Sequence, residues 1–262
     1  MRSVAFISHG GGPLPLLHDP THAELVAVLR DLPTRMARPA AIVVISAHWE
    51  APCVTLTGSA SPGLIYDYVG FPPESYSVSY PAPGAPQLAQ RLHELLQQQG
   101  IVSDVDAQRG FDHGLFVPLK IMYPAADIPC VQLSLVNNLD PMTHLRIGQA
   151  LAKLDVPDLL FLGSGFSFHN LRAFFTSPTP DTQAMNVAFE HWLSQTCGDP
   201  GLSEAERAQR LLQWEEAPAA RYCHPRAEHL LPLHLCYGIA GSPVSEAFTF
   251  QVMGRWASAY LW

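Results

Sequence analysis

A chain of 262 residues in which 48% are apolar has the material for one substantial core, and it fits a single large α/β domain spanning residues 1–262. Its 15 Lys and Arg against 23 Asp and Glu give a formal net charge of -8, with no basic run, which argues against counterion-driven binding to DNA or RNA. No stretch reaches the roughly 18 apolar residues of a membrane span, and five cysteines without a Cys-x-x-Cys pair suggest neither a disulfide framework nor a thiolate zinc knuckle.

The first strand begins directly after Met1-Arg2-Ser3, which leaves no room for a signal segment and makes a cytoplasmic location the expectation. The apolar run Val4-Ala5-Phe6-Ile7 ends in Ser8-His9, and the loop Gly10-Gly11-Gly12-Pro13 then leads to a helix over residues 23–32. A second run, Ala41-Ile42-Val43-Val44-Ile45, ends in the same way with Ser46-Ala47-His48. Further strands are expected over residues 54–57, 130–135 and 159–162. A helix over residues 85–99 is opened by Pro86 and closed by Gly100, and another over 141–153 is capped by Asp140. This alternation is βαβ grammar, and it predicts a mostly parallel central sheet flanked by helices on both faces.

Residues 61–83 break the pattern, being rich in Pro, Gly and Tyr. They read either as an ordered excursion with its own small aromatic core or as an aromatic wall for a flat substrate. Helices follow over residues 182–197, 203–214 with Ser203 and Glu206 as a capping box, and 226–240. A terminal strand pair is expected over 247–253 and 257–262.

The carboxyl ends of strands line the ligand crevice of an open α/β sheet, so His9 and His48 are both delivered to it. Either alone reads equally well as a polar strand terminus. Together they are the start of a metal site assembled from distant sequence. His113 stands in the glycine-flanked turn Gly110-Phe111-Asp112-His113-Gly114, and His169 follows the buried run 159–162 by way of Gly163-Ser164-Gly165. His224-Pro225-Arg226-Ala227-Glu228-His229 opens the last helix, where neighbours point about 100° apart, so only one of Glu228 and His229 is expected to face the ion. Two histidines with Glu228 would be the arrangement of non-haem iron enzymes, whereas His229 would make an all-imidazole set. The other histidines, His18, His22, His93, His144, His191 and His234, are assigned to surface or core packing.

These fragments, together with Phe166-Ser167-Phe168-His169-Asn170-Leu171, resemble in order and over nearly the whole chain the DODA-type extradiol aromatic ring-opening dioxygenases of the class III extradiol superfamily. The resemblance implies a class III extradiol dioxygenase-like fold in which His9, His48 and His229 bind a divalent metal, Fe(II) when active and often Zn(II) as isolated. It also implies that His169 is the acid/base near the metal, or close enough to be a further ligand, that His113 lies in the substrate pocket, and that His224 is a supporting residue for the substrate; a hydrogen bond from His113 to reacting oxygen is the role its place suggests. The partners implied are a catechol, DOPA-like by the family's name, and O2. Arg109 and Arg172 are candidates for a substrate carboxylate. One departure is Ala227, where relatives commonly carry an acidic residue. Zinc-dependent hydrolysis and a Memo-type binding role on the same fold also accommodate the strand-end histidines. Two extra imidazoles, His113 and His169, favour oxygen chemistry.

Overall fold

Residues 2–262 are described by the computed structural model. The apolar runs become strands: β1 (Ser3–Ser8), β2 (Ala41–Ala51), β3 (Val54–Thr57), β4 (Ser103–Asp106), β5 (Cys130–Val136), β6 (Leu159–Gly165), β7 (Glu246–Val252) and β8 (Arg255–Leu261). They form one sheet in the order β4-β3-β5-β2-β6-β1-β8-β7. Parallel pairing joins β1 to β6, β2 to both β5 and β6, and β3 to β4, while β8 adds antiparallel to β1 and to β7.

The central strands are continuous apolar runs because both faces of the sheet are covered. Along β1, Val4 and Phe6 enter one core cluster and Ala5 and Ile7 the other, as the two-residue strand period demands. Helices α2 (Pro86–Gln98), α4 (Pro141–Leu151) and α9 (Leu231–Ala240) supply the first cluster, and α1 (Ala23–Asp31) and α3 (His113–Met122) the second. Fully buried side chains such as Phe161, Leu133 and Leu235 each contribute about 1.5–3 kcal/mol by leaving water. The remaining helices are α5 (Leu171–Phe174), α6 (Pro180–Gly198), α7 (Glu204–Leu212) and α8 (Ala220–Cys223). The expected caps form: Asp140 accepts from the Thr143 amide, and Ser203 and Glu206 cap each other's backbone.

Three elements differ from the sequence expectation. β2 does not stop before His48 but runs on to Ala51, and its pairing with β5 skips from Ser46 to Glu50, so His48 rides a bulge inside the strand. The last helix begins at Leu231 rather than 226, because Pro232 has no amide to close the preceding turn and is accommodated only at a helix start. Edge strand β4, Ser-Asp-Val-Asp, has a single apolar residue, too few for a strand signal. Residues 61–83 are irregular apart from a short 3-10 helix at Pro73–Ser77.

Candidate metal centre

Five imidazoles converge at the carboxyl end of the sheet. His9 leaves β1 with its amide donating to Gly165 O at 3.0 Å. His48 projects from the β2 bulge, where its amide donates to Ser46 Oγ. His229 lies on the turn before α9, whose carbonyl accepts from the Phe166 amide at 2.9 Å. That close approach needs glycine on β6: a Cβ at Gly165 would stand 2.1 Å from His229 O. His113 begins α3, and His169 is tied to α8 by its amide donating to Cys223 O.

The ring centroids of His9, His48 and His229 are 4.8, 4.9 and 5.2 Å apart, an evenly spaced inner triad. His113 packs on His48 at 3.9 Å, and His169 stacks on His229 at 3.4 Å and 15°, so these two form an outer pair beside the triad. His9 and His48 bring their Nε2 atoms within 3.0 Å of each other. By donor spacing alone, His9, His48 and His113 form one group able to hold an ion and His169, Glu228 and His229 another. In the second group the His169 ring lies flat on His229, so its nitrogen runs alongside that neighbour's, whereas His113 is tilted by 46° to His48.

Hydrogen bonds at Nδ1 prepare Nε2 for a cation. Ser164 Oγ donates to Gly114 O, so its lone pair accepts from His9 Nδ1 at 3.0 Å and leaves His9 Nε2 unprotonated. Glu228 Oε1 accepts from His229 Nδ1 at 2.9 Å and lies 3.2 Å from His169 Nδ1. Asp67 Oδ1 accepts from both the amide and Nδ1 of His113, at 3.0 and 2.8 Å, and Oδ2 lies 3.7 Å from His48 Nδ1. Burial, reinforced by neighbouring imidazoles, pushes His9, His48 and His229 well below the usual histidine range. They therefore present neutral lone pairs, the form that binds metal. Nitrogens about 2 Å from an ion fit this spacing, so the donor set suits a divalent cation.

The carboxylates are held differently. Burial raises both Asp67 and Glu228, but hydrogen bonding and charge from His113 and His169 respectively outweigh it, leaving each below the usual carboxylate range. Arg226 also lies 3.5 Å from Glu228 Oε2 while pairing bidentately with Glu50. Neither Asp67 nor Ser164 was singled out in the sequence, since their partners are 46 and 155 positions away. The sequence presents Glu228 only as a rival ligand to His229. The structure gives it a third place: on a turn rather than a helix, both Glu228 and His229 face the cluster.

A cavity of about 360 Å³ opens over the imidazoles. Tyr68 and Phe71 form one side, so the 61–83 segment provides a wall as well as a small core in which Tyr66, Tyr68 and Tyr76 pack together. Phe166, Leu171, Phe174 and Phe175 form the other side. A hollow of about 440 Å³ beside Glu190 and Trp256 contains none of the five imidazoles.

His224 is not in this cavity, which corrects the expectation of substrate contact. It is fully buried between Phe189 and Trp214, and its Nε2 donates to Ser167 O at 2.7 Å. Arg109 stacks 4.3 Å over Trp49 and bonds Asp112, and Arg172 is exposed on α5 outside the lining. His22, His144 and His234 are core residues as expected, His22 accepting from the Gly11 amide to hold the glycine loop.

The family profile for the catalytic LigB subunit of aromatic ring-opening dioxygenases matches residues 5–261. The dioxygenase tasH of Hapsidospora irregularis is 38% identical over 280 aligned residues, covering 100% of this chain and 86% of that protein. The 4,5-DOPA dioxygenase extradiol of Beta vulgaris is 38% identical over 245, covering 92% and 88%, and that of Escherichia coli K12 is 34% identical over 249, covering 95% and 88%. The crystal structure of an uncharacterized protein from Escherichia coli K12 superposes with a TM-score of 0.75 at 30% identity, covering 99% of this chain and 98% of that one.

Proposed function

The chain belongs to the family of catalytic LigB subunits of aromatic ring-opening dioxygenases, and from that premise we propose that it cleaves a catechol beside its diol with O2, at a divalent ion held by His9, His48 and His229. The observation that carries this reading is the five-imidazole cluster, in which three evenly spaced rings, two of them with Nε2 freed by a hydrogen bond at Nδ1, are flanked by two more. A hydrolase needs the three; oxygen chemistry uses all five. Bound Fe(II) would acidify the diol and pass electron density from it to O2, while Zn(II), without redox chemistry, would occupy the site inertly.

The chain's own residues do the rest. His169 Nε2 accepts a proton from a diol hydroxyl and later returns it, the role of a general base and then general acid within reach of the substrate. Glu228 holds His169 by Nδ1 and stabilises the imidazolium formed there. His113, held by Asp67, directs Nε2 at the cavity to hydrogen-bond oxygen as negative charge develops. Tyr68, Phe71 and Phe166 bracket the flat ring and exclude water.

Anaerobic loading with Fe(II), then O2 uptake and yellow semialdehyde formation across a panel of catechols, tests the proposal. Uptake with Fe(II) and none with Zn(II) is expected. No uptake with any catechol by protein shown to contain iron would overturn it. Among the described residues no helix is long and apolar enough to cross a membrane, and the assay uses the protein in aqueous buffer.

A further inference from the structure

The cavity walls carry information about the substituent on the ring that is opened. Its outer part is apolar: Leu14, Leu171, Phe174, Phe175 and Met253 line it. Leu171 and Phe175 are 60% and 83% exposed, so the apolar lining continues from the imidazoles to the protein surface. Among the described lining residues, the one formally charged side chain apart from the imidazoles is Asp67, a carboxylate. Its oxygens already face His113 and His48. Of the nearby guanidiniums, Arg109 is engaged by Trp49 and Asp112, Arg226 by Glu50 and Arg255 by the carbonyls of Ala173 and Thr176, while Arg172 is exposed and does not line the cavity.

Resting on the ring-cleavage reading, we propose that this site takes catechols bearing an uncharged apolar substituent and discriminates against those bearing a carboxylate. A carboxylate brought into this space would lose hydration without gaining a cation, and would approach Asp67. An alkyl or aryl chain would instead cover Leu171 and Phe175, removing exposed apolar surface on both partners. The preference distinguishes this chain from a site built for an amino-acid side chain, in which both a carboxylate and an ammonium need partners.

The test compares 4-propylcatechol with 3-(3,4-dihydroxyphenyl)propanoate and 4-(3-aminopropyl)catechol. All three carry an alkyl carbon on the ring, so the acidity of the diol is nearly constant and the chain end varies. Dissociation constants are measured on Zn(II)-loaded protein, which needs no turnover, and kcat/KM on Fe(II)-loaded protein. We expect 4-propylcatechol to bind at least about tenfold more tightly than the propanoate, the scale on which pockets reject a group they leave unpaired. Phe175→Arg, at an exposed position that leaves the core intact, should narrow that gap by tightening the propanoate. Equal or tighter binding of the propanoate or of the amine by the unmodified protein overturns the inference, whether or not O2 is consumed. An unchanged propanoate affinity in Phe175→Arg overturns the placement of the substituent along this rim. Preferential binding of 4-propylcatechol without O2 uptake by the iron form would overturn ring cleavage and leave the apolar selection standing.

Discussion

Asp67 and Glu228 stand on opposite sides of the imidazole cluster, and each touches one inner and one outer ring with opposite bias. Asp67 is 2.8 Å from outer His113 and 3.7 Å from inner His48; Glu228 is 2.9 Å from inner His229 and 3.2 Å from outer His169. Their settings differ too. Asp67 comes from the irregular 61–83 segment with its side chain 23% exposed, whereas Glu228 is 10% exposed and backed by Arg226. Water can replace part of what Asp67 supplies. It has poorer access to Glu228, so on the proposed reading the Glu228 side would couple metal affinity to the proton-transfer group, while the Asp67 side would mainly aim one outer ring.

The sharpest break between inner and outer rings is metal retention. His9→Ala, His48→Ala or His229→Ala should each weaken metal binding by more than about 100-fold, beyond what loss of a supporting partner does. His113→Ala and His169→Ala should keep stoichiometric metal. Metal analysis after gel filtration distinguishes the two groups, and retention by any inner variant would dissolve the distinction.

Within the outer pair, His169→Gln should lower kcat by about 10²–10⁴ at full metal occupancy, the loss typical of a general acid/base. His113→Gln should cost about 10² or less, since glutamine still donates a hydrogen bond. Equal losses would mean that the two flanks share the proton chemistry. Next in size is the carboxylate contrast itself. Glu228→Gln should lower metal affinity by about 10–100-fold. Asp67→Asn should change metal affinity less than tenfold and act on kcat instead. Titration with a competing chelator, read beside kcat at saturating metal, measures both; a larger metal effect from Asp67→Asn would reverse the assignment.

How these groups meet shows what the linear sequence carries. The strands β1, β5 and β6 were legible because apolar runs buried on two faces look alike in any context, and Ser203 with Glu206 because capping is local. His9 after β1 was therefore in view. His48 was expected beyond a strand end, but a bulge depends on how β5 pairs opposite, which periodicity along β2 does not record. A helical pattern over 226–230 sets Glu228 and His229 about 100° apart, but Pro232 starts the helix at Leu231 and leaves both residues on a turn. Asp67 had a visible signal, a lone acid between Tyr66 and Tyr68, yet the reason for it lies across the fold at His113.

Glu190 sharpens the carboxylate comparison by being a buried acid without an imidazole partner. It is 6% exposed, one oxygen accepts from Ser258 Oγ at 2.5 Å, and the other has no hydrogen-bond partner. Burial pushes it up from 4.5 to about 7, against the lowering by Ser258 and Ser167, whereas Asp67 and Glu228 are held low by histidines. The folded state therefore keeps a proton that the unfolded chain has released. Stability from this group is fully present below about pH 4.5 and is lost as the pH rises through about 7. Over the upper two pH units of that window the loss should reach about 2 kcal/mol. Glu190→Gln, neutral at every pH, should remove that slope from denaturant-melt stabilities with kcat at saturating metal unchanged. An unaltered slope would mean that burial does not keep an acid without an imidazole partner protonated here, and the imidazoles would lose their standing as what holds Asp67 and Glu228 ionised.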